Sequence, residues 1–297
     1  MEQSPLIAIG LPIALFIIMI GMGLTLTPQD FKREAQAPRG LLVGSALQLA
    51  ILPLIGLLLM QMPGLGATLA VGVVIVAACP GGTTSNLISF LARGNVALSI
   101  ILTVIASLAT IATLPFWVNI ALELAGLDHG DTPLHLPFLK TVLMLSVLIL
   151  VPVAIGMVIR GRNAALAARA DRVVSLFGAL VLLLLIIGIA WTNRERLGSL
   201  LALAGPACAA LNVAGIALGM LGGRLAGLSG QDSLTVAVEL GIKNSTIGLL
   251  VAMTLLNNTE MAVPSAVYGI MMYAFGFALV AWGKHRSRVS PLPDSKV

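Results

Sequence analysis

Charge is scarce in this sequence. Only 10% of its 297 residues are Asp, Glu, Lys or Arg, against about a quarter in soluble domains. A water-soluble fold of that length has too much surface to cover with so few charges. Two cysteines exclude a disulfide-held secreted scaffold. The three histidines, His129, His135 and His285, fall between or at the ends of apolar runs, so no intramembrane histidine cluster for a metal is evident. No Walker phosphate loop occurs, which argues against ATP hydrolysis. Apolar residues, by contrast, make up 58% of the chain, and mean hydropathy is +1.04. Disordered chains are poor in such residues. The class that remains is an all-α polytopic membrane protein.

The net charge of +5 does not point to nucleic acid, because the basic residues are scattered between apolar runs rather than gathered on one face. A spanning helix needs about 20 mostly apolar residues. Nine such stretches are expected, at 5–26, 40–62, 67–91, 96–121, 137–159, 173–192, 198–222, 233–256 and 263–283. The start Met1-Glu2-Gln3-Ser4 has no basic residue before the first run, unlike a signal peptide. Alternate loops hold Lys32, Arg33 and Arg39, then Arg93, then Arg160, Arg162, Arg169 and Arg172, then Arg224, then Lys284, Arg286, Arg288 and Lys296. The opposite loops hold Arg194 and Arg196 beside Glu123, Asp128, Asp131, Glu195 and Glu260. Cytoplasmic loops are enriched in Lys and Arg. The bias therefore predicts an external N-terminus and a cytoplasmic C-terminus, which an odd number of spans requires.

Two charges lie where none belongs. Glu239 and Lys243 are four residues apart in the middle of the eighth stretch. A charge at the bilayer centre costs about 2.5–3.5 kcal/mol on insertion scales. A helix in lipid has no structural need for either charge, so the pair reads as a functional site before it reads as a self-neutralising ion pair. Gly241 lies between them, and Asn244, Ser245 and Thr246 follow. The third stretch holds Cys79-Pro80-Gly81-Gly82-Thr83-Thr84-Ser85-Asn86. Proline removes a backbone donor, and the glycines and capping-type residues after it predict a second half-helix from about Thr84. Both stretches should be interrupted. They are five spans apart, so spans 1–4 and 6–9 would form inverted repeats, and paired interrupted helices point to a transporter site at mid-membrane. Gln48, Ser99 and Thr103 are further mid-span oxygen carriers. With Glu239 and the 83–86 break they would suit a hard cation.

Taken in order, these motifs resemble the bile acid:sodium symporter family. They are Gly21-Met22-Gly23-Leu24-Thr25-Leu26, the Cys79–Asn86 run, Leu91-Ala92-Arg93-Gly94-Asn95 through Ser99, and Glu239-Leu240-Gly241-Ile242-Lys243-Asn244-Ser245. The resemblance covers nearly the whole chain. It implies the nine-span form of a fold that has ten spans in other bacterial members, with two discontinuous helices, the third and eighth, crossing each other. A core domain (40–121 and 198–283) and a panel domain (5–26 and 137–192) would hold substrate between them. It also implies a first sodium site at Ser85, Asn86, Ser99, Thr103 and Glu239. A second would be formed by Gln48, Glu239 and the backbone carbonyls of Leu240 and Ile242. Thr83 and Asn244 are implied near substrate. Where the family pattern carries Gln, this chain has Lys243. An ammonium cannot ligate sodium, so Lys243 is expected to stand in for the second ion, leaving one sodium per cycle.

The function expected is sodium-coupled symport of an organic anion, bile-acid-like or a small carboxylate such as pantoate, across the inner (plasma) membrane. The alternative is a sodium-independent carrier, proton-coupled or facilitative, using Glu239 and Lys243. An enzyme or receptor finds little support, since there is no evident nucleophile–base pair and no extramembrane domain. The partners expected are the anion, sodium and lipid, with no nucleic acid and no obligate protein partner.

Overall fold

The structure is a computed structural model that describes residues 5–27, 29, 38–128 and 134–289. Met1–Ser4, Lys32, Arg33, His129, Asp131 and Lys296, which entered the reading above, lie outside the described residues. Among the described residues the regular structure is eleven helices. These are α1 (Pro5–Leu24), α2 (Arg39–Leu59), α3 (Ala67–Ala78), α4 (Thr83–Leu91), α5 (Val96–Leu124) and α6 (Phe138–Arg162). They continue with α7 (Ala164–Thr192), α8 (Leu197–Leu225), α9 (Gly230–Gly241), α10 (Ser245–Leu255) and α11 (Val263–Val289). Six of them, α2, α5, α6, α7, α8 and α11, are long and apolar enough to cross a membrane unaided. The chain is a multi-pass membrane protein.

The two interruptions fall where the sequence places them. Cys79 is extended (φ −66°, ψ 148°), as a residue before proline is driven to be, and α3 stops there. Gly82 is also extended, and α4 starts at Thr83 without a side-chain cap. The capping-type residues Thr83 to Asn86 therefore do not cap. In the second break α9 ends at Gly241, and Ile242 is extended (φ −109°, ψ 100°). Here a side chain does cap: the Asn244 oxygen accepts from the Ile247 amide at 3.3 Å. Away from water each unpaired backbone group is costly, and the two breaks relieve one another. Gly81 and Lys243 form an antiparallel bridge, and the Asn244 amide donates to the Pro80 carbonyl at 2.9 Å.

The surrounding helices keep this junction buried. Every residue of α3 from Leu69 to Ala78 is buried, as a helix that is apolar all round should be. It packs against α2, α5, α8 and α11. α9 lies against α8, where a methyl added at Gly219 would meet the Ala237 backbone. α1 packs on α6 and α7. Gly23 and Gly156 face each other there so closely that a methyl on either would strike the opposite backbone. Only 6% of the apolar window of α7 is buried, so this helix is an outer one. It begins at Ala164, nine residues before the start expected from hydropathy, and Arg169 and Arg172 lie on it rather than in a loop. The Asn163 side chain, accepting from the Leu166 amide at 2.9 Å, sets that start.

Pro53 leaves a defect that the fold repairs. Without an N–H it cannot donate to the Leu49 carbonyl four residues back, and α2 widens into a π turn at Leu47–Ile51. The indole Nε1 of Trp117, from α5, donates to that carbonyl at 2.9 Å.

Candidate functional site

Glu239 is wholly buried near the end of α9, and three hydroxyls from two other helices converge on it. Ser85 in the first turn of α4 donates to its Oε1 at 2.5 Å, and Ser99 of α5 does so at 2.7 Å. Thr103, one turn further along α5, lies 2.9 and 3.0 Å from the two carboxylate oxygens. Ser99 and Thr103 share a helical face because they are four apart. The half-buried Asn86 adds its side-chain oxygen, 2.9 Å from Ser99 Oγ and 3.2 Å from Thr103 Oγ1. Gly81 lets the chain pass this close, since a methyl there would collide with the Glu239 carboxylate.

The cluster is short of protons. Each hydroxyl donates once. The three face both Glu239 oxygens and Asn86 Oδ1, each with two lone pairs, and lie as close to the carbonyls of Gly82, which also accepts from the Ser85 amide, and of Ser99. Oxygen in excess of protons around a buried carboxylate is the donor set that suits a hard cation. Thus Ser85, Asn86, Ser99, Thr103 and Glu239, far apart in sequence, meet at one point.

The remaining residues of interest are arranged differently. Leu240 and Ile242 are buried on either side of Gly241 at the second break. Gln48 is buried in the π turn of α2, which packs against α9, and neither polar atom of its amide has a hydrogen-bond partner. Lys243 is 1% exposed. Its Nζ donates to the Cys79 carbonyl at 3.0 Å, at the C-terminal end of α3, where the helix dipole is negative. Among the described residues the ion pairs are Arg194 with Glu195 and Arg196 with Glu260. Lys243 and Glu239 form none.

A cavity of about 310 Å³ opens beside the junction. The breaks supply Gly82, Thr83, Thr84, Lys243, Asn244, Ser245 and Thr246 to its wall, while α1 supplies Ile18 and Gly21 and α7 supplies Val174, Ser175, Gly178 and Leu182. Thr83 and Asn244 are both on this wall. The N-terminal ends of α4 and α10 meet there, and helix N-termini favour anions.

Sequence reasoning missed three parts of the site. The Gly241 carbonyl, left open where α9 stops, accepts from Asn212 Nδ2 and from Tyr268 OH, both at 2.9 Å. An amide in the middle of the apolar run of α8 was the available signal for Asn212. The tie between the α4–α5 loop and the start of α9 had no signal. There the Asn95 amide donates to Thr235 Oγ1 at 2.7 Å, and Asn95 Nδ2 donates to Asp232 at 2.8 Å. The α1 and α7 residues of the cavity wall are ordinary apolar and small residues in sequence.

A helical membrane protein with two discontinuous helices meeting at an oxygen-rich buried carboxylate, beside a cavity, has the organisation of a carrier rather than of an enzyme. The comparisons agree with that class. Residues 12–200 match the model of the sodium bile acid symporter family. The sodium-dependent transporter YocS of Bacillus subtilis is 31% identical over 274 residues, covering 92% of this chain and 82% of that protein. A probable chloroplastic sodium/metabolite cotransporter of Oryza sativa subsp. japonica is 32% identical over 262 residues. That match covers 88% of this chain and 62% of the rice protein. The human ileal sodium/bile acid cotransporter is 28% identical over 303 residues, covering 99% of this chain and 85% of its own length. The chain belongs to the sodium bile acid symporter family, whose members here are transporters and not enzymes.

Proposed function

We propose that this protein is a sodium-coupled symporter of a small organic anion in the inner membrane. The proton-poor oxygen cluster around Glu239 carries the reading. Sodium bound among Ser85, Asn86, Ser99, Thr103 and Glu239 would take up the unserved lone pairs and draw α4, α5 and α9 together. That ordering favours anion binding at the adjoining helix ends, by Thr83 and Asn244, and such mutual favouring is what couples the two solutes. Gln48, Glu239 and the carbonyls of Leu240 and Ile242 form a second cation position. Lys243 takes the place of its ion, so one sodium moves per cycle. The sodium-dependent names of the relatives support the coupling. The cavity lies at the small end of ligand pockets, which run from about 300 to 1,000 Å³, and this favours a compact carboxylate such as pantoate over a steroid.

The same reading makes nine spans of the eleven helices, with α3–α4 and α9–α10 as two interrupted spans that cross at their breaks. The core is 40–121 and 198–283, the panel is 5–26 and 137–192, and the substrate cavity lies between them. The N-terminus is outside and the C-terminus in the cytoplasm. Uptake of small carboxylates into vesicles, with and without a sodium gradient, tests the function. Sodium should stimulate uptake in wild type and not in Glu239→Gln, while the variant remains monodisperse. A second reading is favoured by the balance of one buried Glu against one buried Lys, which needs no ion: a sodium-independent carrier. Equal uptake with and without sodium would establish it.

A further inference from the structure

Among the described residues Lys243 is the charged residue on the wall of the cavity, and no carboxylate is in salt-bridge contact with its ammonium. An ammonium has three donors. Among the described residues one of them is used, on the Cys79 carbonyl. The end of a helix dipole supplies about half a charge. Glu239, the other buried charged residue, is held by Ser85, Ser99 and Thr103 and makes no ion pair with Lys243. A buried ammonium left this way is costly, and an anion placed beside it recovers much of that cost. The cavity is where such an anion fits. Next to Lys243 on its wall is Ser245, whose buried hydroxyl has no hydrogen-bond partner. The opposite side offers Ile18, Gly178 and Leu182, which suit an apolar body, with the hydroxyl of Ser175 but no second cation for another negative charge among the described residues.

The geometry points to Lys243 as the fixed counter-charge of the substrate's carboxylate, with Ser245 beside it, making the site selective for compact monocarboxylates. This rests on the transporter reading above and adds the residue that sets substrate charge. Lys243 would then have two roles, standing in for the second cation from within the chain and meeting the charge of the substrate. A monocarboxylate neutralises it, a dicarboxylate brings one charge too many, and a neutral analogue leaves it bare.

The test is a melting-temperature titration of the purified protein in sodium buffer. The probes are isovalerate, 2-hydroxyisovalerate and pantoate, each against its primary amide, with succinate as the dianion. In wild type at least one acid should bind tenfold or more tightly than its amide and than succinate. In Lys243→Met that preference should vanish while the stabilisation by sodium alone persists, and Lys243→Arg should restore it in part. The inference fails if acids and amides act alike on wild type, if no acid acts, or if Lys243→Met keeps the preference. The acid–amide comparison in wild type needs no variant, so a misfolded Lys243→Met still leaves a decision. A protein that ignores sodium but prefers acids would remove the sodium coupling and keep the role of Lys243.

Discussion

Glu239 and Lys243 declare themselves in the sequence because each breaks the rule that spans are uncharged. Their partners do not. Hydropathy cannot show that the acceptor of Lys243 is the Cys79 carbonyl, 164 residues away, or that Ser85 and Asn86 join the cluster at Glu239 instead of capping α4. Those contacts depend on where two separate breaks meet in space. Gly81 is another residue whose role appears only there. A methyl at Gly81 would come within 3.2 Å of the Glu239 carboxyl carbon and 3.4 Å of Ser85 Oγ, and would overlap the nearer carboxylate oxygen. Overpacking of this kind costs about 1–3 kcal/mol. Gly81→Ala should weaken sodium binding about tenfold or more while lowering the melting temperature of the sodium-free protein only modestly. Calorimetry and thermal melting of the same preparation check both.

At the scale of elements, the interrupted helices were legible because proline and paired glycines have few other uses inside an apolar run. The start of α7 was not, because a capping Asn outside the apolar stretch, and not the stretch itself, decides where it begins. The repair of α2 was likewise hidden. Pro53 announces a missing donor, yet nothing in sequence says that Trp117 supplies the replacement. Removing that indole leaves the Leu49 carbonyl unpaired, at a cost of about 1–3 kcal/mol, plus the loss of ring packing. Trp117→Phe should therefore lower the melting temperature by several degrees. Sodium affinity, set by the cluster around Glu239, should be unchanged. A variant as stable as wild type would mean that water or another group satisfies the carbonyl.

For the whole molecule, the proposed orientation rests on the alternation of loop charges. A cysteine placed at Ala165 should be shielded from a membrane-impermeant reagent in intact cells, and one at Asp128 should be labelled. The reverse pattern would invert the topology. The buried interior also has a charge balance: among the described residues Glu239 and Lys243 are its charged side chains, and on the function proposed the site would take up one cation with one monoanion. Sodium titrated calorimetrically into the purified wild-type protein tests this account most directly. One sodium should bind per chain, Glu239→Gln should bind none, and Lys243→Gln should bind two. Two sodium ions in wild type, or an unchanged isotherm in Glu239→Gln, would contradict it.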